Sequence, residues 1–144
     1  MSMGAEIVRD LARFLSQDSL TVDDVARHVG PVIHDPGEYM SAELDPVISG
    51  LATARLARLP NTDVPYLLEL GFDQESRPTV GSLKAMFGDY RHVLTDRERP
   101  REIQFDVPDT GRGWHTVVIV NTPADSRVLE EAPVIKVALR RDAV

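Results

Sequence analysis

Two ten-residue segments of this chain share one plan. They are Thr21-Val-Asp-Asp-Val-Ala-Arg-His-Val-Gly30 and Thr79-Val-Gly-Ser-Leu-Lys-Ala-Met-Phe-Gly88, 58 positions apart (79 − 21). Each opens on a threonine suited to cap a helix, places apolar residues at its second, fifth and ninth positions, and closes on a glycine. Such helices are too short to persist alone, so each must be held by neighbouring elements. Both are succeeded by a strand-like stretch: Val32-Ile-His34 after the first, Tyr90-Arg-His-Val-Leu94 after the second. The pattern predicts two pseudo-repeats, approximately 20–72 and 78–140, within one domain spanning 1–144.

The rest of the chain fills in around these units. Ile7, Val8, Leu11, Phe14 and Leu15 fall at helical spacing opposite Arg9, Asp10 and Arg13, which predicts an amphipathic N-terminal helix over 6–15. In the first unit Thr21 and Asp24 approximate a capping box, and Gly30 is placed to end the helix in a left-handed conformation. Ala52, Ala54 and Leu56 alternate, as do Tyr66, Leu68, Leu70 and Phe72 after the Pro60–Asp63 turn, giving a hairpin. A second hairpin runs through Ile103, Phe105 and Val107, the Gly-rich turn 108–113, and Trp114 to Val120. A last strand spans 134–140, with Ile135, Val137 and Leu139 on one face. The stretch 35–45 reads as a long loop, and 121–133 as a connection with a short turn of helix. The predicted fold class is α+β: a curved antiparallel sheet with short helices on one face.

A tandem unit of a capped helix plus antiparallel strands, with the signature T-x-x-x-apolar-x-x-x-apolar-G, resembles the beta-lactamase-inhibitor-protein-like architecture over residues 20–140. A similar unit occurs in small outer-membrane assembly lipoproteins. The resemblance implies a binding protein or assembly factor whose sheet offers aromatic side chains to a partner protein. This chain departs from those families in lacking cysteines for disulfides or a lipid anchor, and in showing no leader.

Charge narrows the partner. The net charge of −7 disfavours phosphate backbones and anionic lipid surfaces and suits a basic protein. The expectation is a non-enzymatic, cytoplasmic protein-binding module, an inhibitor or immunity-type antagonist or a dedicated chaperone, with no cofactor, no metal, no nucleic acid and no membrane. Trp114, opening a strand after the Gly-rich turn, and Tyr39, in the long loop, are the foremost contact candidates, joined by Tyr66 and Tyr90. Phe72, Phe87 and Phe105 follow apolar faces and belong to the core. Asp23 and Asp24 suit a helix N-terminus and could also meet a basic partner at its rim. A homodimer through a free sheet edge at the last strand is compatible with this reading.

The alternative is a small enzyme or ligand-binding domain. His34 and His92 are equivalent in the two units, and with Asp35 and Asp96 they would meet in a cavity if the units packed face to face. Their spacing matches no zinc signature. No serine stands in a nucleophile elbow, and Gly111-Arg-Gly113 is too short to cradle phosphate.

Overall fold

A computed structural model describes residues 3–35, 41–93, 101–107, 114–122, 129–134 and 136–143. The elements are α1 (Met3–Leu15), α2 (Val22–Val29), β1 (Val32–His34), β2 (Ala42–Leu44), β3 (Leu51–Arg58), β4 (Pro65–Phe72), α3 (Val80–Phe87), β5 (Tyr90–Val93), β6 (Arg101–Asp106), β7 (Trp114–Thr122) and β8 (Lys136–Ala143), with a 3-10 turn at Leu129–Glu131 before β8. After α1, one helix followed by four strands therefore occurs twice in succession. The strands form one antiparallel sheet in the order β1-β2-β3-β4-β8-β7-β6-β5.

Each half is a meander, and the fourth strand of one half pairs with the fourth of the other, Leu67–Leu70 against Val137–Arg140. The last strand is thus central. This overturns the expectation of a free edge there: the edges are β1 and β5, and any sheet-edge dimer would have to use one of those.

Register explains why the sheet has a wet and a dry face. One apolar row crosses the strands as Ala42, Leu56, Leu68, Leu139, Val118, Phe105 and Tyr90; the next runs Leu44, Ala54, Leu70, Val137, Val120 and Ile103. All but Tyr90, which is half-buried, are buried. The three helices close over these rows, α2 against β3, α1 against β7 and α3 against β6, through Val8, Leu11, Val25, Val29, Val80 and Leu83. The opposite face is mixed: Arg55, Glu69, Lys136 and Arg140, with Lys136 Nζ 3.0 Å from Glu69 Oε1, share it with Leu67, Val117, Ile119 and Ala138. Strand periodicity of two converts the sequence's alternation into this division in the outer strands, while β7 is apolar on both faces.

Both helix starts are built as expected. Thr21 Oγ1 accepts from the Asp24 N–H at 3.2 Å while the Thr21 N–H donates to the Asp24 carboxylate at 3.0 Å. At α3 the same box is made by Thr79 and Ser82, at 3.1 and 3.0 Å. Thr21→Ala should lower stability by about 1 kcal/mol in urea unfolding. The boxes differ in their response to acid. The Thr21 backbone N–H, helped by its side chain, holds the Asp24 carboxyl below its ordinary pKa, so its contribution is complete above the unfolded-state pKa and is lost as pH falls through the lower folded-state value. Ser82 does not titrate. The stability difference between the wild-type protein and an Asp24→Asn variant should therefore narrow from neutral to acid pH, whereas that between the wild-type protein and Thr79→Ala should not.

Several local expectations are corrected. Gly30 ends α2, but at φ 158° and ψ 155°, not in the left-handed helical region. It is there because Asp45 crosses so closely that a Cβ would lie 1.8 Å from the Asp45 carbonyl oxygen. Within the supposed loop 35–45 lies β2, a strand too short to betray itself by alternation. Ala52 is exposed, because it is the extra residue of a bulge between Leu51 and Thr53, and Leu51 takes its place in the core. The last strand begins at Lys136; Val134 instead gives its N–H to Pro78 O at 3.2 Å. Ile135 lies outside the described residues.

Candidate functional site

The aromatic residues expected to meet a partner are dispersed. Trp114 is half-buried at the start of β7, its indole 4.2 Å from the Arg141 guanidinium. Arg141 is 1% exposed and spans three backbone carbonyls: Nε to Leu15 O at 2.8 Å, Nη1 to Pro65 O at 2.7 Å and Nη2 to Gln17 O at 2.9 Å. Tyr66, next to Pro65, is the extra residue of a second bulge, opposite Arg58. The bulge breaks the alternation that would have put it beside Leu68, and it is exposed near Arg140. Trp114 and Tyr66 therefore reach the same end of the sheet, bracketing Arg141.

Tyr90 stands at the far edge, edge-on to Phe105 and His92, with its hydroxyl 3.4 Å from a Glu130 oxygen. Asp24 is engaged by its cap and by Arg27 at 3.0 Å, whereas Asp23 is exposed. Tyr39 lies outside the described residues. These positions do not converge on one patch.

Nor do the histidines. His34 is on β1 and His92 on β5, with six strands between them; seven spacings of about 4.8 Å make roughly 34 Å along the sheet. The two halves join through their fourth strands and not face to face, which is why the equivalence of these residues separates them. Asp35 is bound to Arg58, and Asp96 lies outside the described residues. Among the described residues no three His, Asp or Glu side chains gather at metal-binding distance.

The surface that sequence reasoning passed over is the β1 edge. Val32 is 41% exposed, Ile33 58% and Val47 69%. Val32 and Val47, with Ala26 and Pro31, line an open groove of about 570 Å³ between the end of α2 and the chain after β2, and Asp23 stands on its rim. Two backbone bonds fix its walls, Asp45 N–H to Pro31 O and Val47 N–H to Val29 O, both 2.8 Å. The sequence signal was present in the β-branched pair Val32-Ile33. A strand of three residues, however, has too little alternation to show which side is wet.

The two edges differ in chemistry. β5 carries Arg91, tied to Asp106 at 3.1 Å and to Gln104 at 3.2 Å, and an exposed His92. Charges of this kind protect an edge from adding strands. β1 presents valine and isoleucine before an exposed His34, with a bulge at Ile33. No family model, curated protein or solved structure matches the chain.

Proposed function

We propose that the protein is a non-enzymatic binding module for another polypeptide, and that it docks its partner on the β1 edge and the adjoining groove. The carrying observation is that three branched aliphatic side chains stand exposed at one sheet edge, Val32 and Val47 in the groove and Ile33 at the bulge between Val32 and His34. Exposed apolar groups cost solubility, so a clustered set at a strand edge favours contact with another chain. The net charge of −7 favours a basic partner, whose approach it would accelerate. An antagonist of that partner or a dedicated chaperone for it both fit. We take the two helix-plus-four-strand halves as copies of one unit, in keeping with the resemblance to beta-lactamase-inhibitor-protein-like binders.

Ile33→Lys tests the reading. The side chain is exposed, so unfolding free energy should stay within about 0.5 kcal/mol of the parent. Partner recovered by the tagged parent from its native lysate should be lost by Ile33→Lys and by Val47→Asp. Retention of the same partner by both variants would remove the β1 edge from consideration and return attention to the Trp114 and Tyr66 end.

A further inference from the structure

Resting on the docking reading, we infer that the occupant of the β1 edge is an extended segment with alternating aliphatic and basic residues, added to the sheet as a ninth strand. β1 ends the strand order, so its outer backbone faces away from the sheet. An added strand satisfies such groups while its side chains alternate between two faces. On the helix side they would fall over Ala26, Pro31, Val32 and Val47, an apolar floor; on the other side they would lie beside Ile33.

Charge selects the residues between. Arg27 is paired with Asp24 and Arg58 with Asp35, and Arg55 lies directly across from Glu43. Asp23 on the groove rim and Asp45, beside Gly30, are both exposed, and no ion pair engages either among the described residues. The surplus around the groove is therefore negative and calls for lysine or arginine in the guest strand. The same surplus argues against a second copy of this chain. Pairing β1 with itself would bring two chains of charge −7, and their exposed Asp23 and Asp45, together.

The experiment is a titration of the isotope-labelled full chain, followed by amide chemical shifts, with a short capped peptide of alternating arginine and valine. Matched peptides carry glutamate for arginine, or N-methyl groups on alternate backbone nitrogens. The arginine peptide should shift the amides of residues 26–30, 32–35 and 47 and bind about tenfold more tightly than the glutamate peptide. That preference corresponds to about 1.4 kcal/mol, within reach of two surface charge pairs. It should shrink in the Asp23→Asn, Asp45→Asn double variant, and N-methylation should abolish binding.

Equal binding of the two charge types, shifts centred elsewhere, or indifference to N-methylation would each overturn strand addition. So would concentration-dependent shifts at β1 in the protein alone, which would identify a second copy as the occupant. If the peptides fail while Ile33→Lys still loses the natural partner, the docking edge stands and only the strand mode falls.

Discussion

Arg141→Met should lower the unfolding free energy by about 3 to 5 kcal/mol. The guanidinium is almost wholly buried and donates to three carbonyls, one of them on Leu15 at the C-terminal end of α1, where a helix leaves its carbonyls without partners, and another on Gln17 just beyond it. Burial pushes its pKa down and Asp18 partly offsets this through space, but a guanidinium stays charged near neutrality. Methionine regains some apolar burial and escapes the desolvation of a charge. Three carbonyls would nevertheless lose their donors, at roughly 1 to 3 kcal/mol each, and this larger sum decides the sign. Lysine at the same position keeps the charge but not the fork, and should fall between. Urea midpoints at constant slope will measure both, and a loss below about 1 kcal/mol for methionine would show that the clamp contributes little. Trp114→Ala, which uncovers the guanidinium, should cost less than Arg141→Met.

Gly30→Ala should cost about 3 kcal/mol, the upper end of the range typical when a crowded site is overfilled. The new methyl would lie 1.8 Å from the Asp45 oxygen and 2.6 Å from its carbonyl carbon, both backbone atoms that no rotamer change can move. Gly88, which ends the second unit, is the control. A Cβ there meets nothing within 4 Å, and only its φ of 91° opposes substitution, at about 1 to 2 kcal/mol. The two glycines occupy the same place in the motif yet should respond through different physics. In Gly30→Ala the strap between Val47 and Val29 must shift, so the groove beside β1 should change with it. Calorimetric melting of both variants, with amide shifts of Asp45 and Val47 in Gly30→Ala, will separate a steric from a torsional effect.

What was legible in the sequence was local. Helices with a capping threonine and a closing glycine, and strands whose apolar residues alternate, obey rules that span a few residues. The strand order does not. The pairing of β4 with β8 joins residues about 70 positions apart, Leu67 with Arg140 and Leu70 with Val137, and no short-range rule distinguishes that seam from a free edge. Tyr66 and Ala52 changed faces because single-residue bulges shift the alternation without altering composition. Arg141 was overlooked because an arginine near a strand end reads as solvated, yet it continues the phase of Val137 and Leu139, and that phase was the available clue. The exposed β1 edge was missed for the opposite reason, since Val32 and Ile33 look like core residues until their strand is found at the border of the sheet.

The position of β8 has a consequence for how the protein is made. Of the eight strands it is synthesised last, yet it occupies the middle. While the ribosome is still translating the second half, β4 has its hairpin with β3 but lacks its other neighbour. The nascent first half therefore carries an open seam on the side away from β1. Breaking the chain in the connection between β4 and α3 would give two fragments with complementary open strands, Leu67–Leu70 and Val137–Arg140, a ready basis for reassembly in trans.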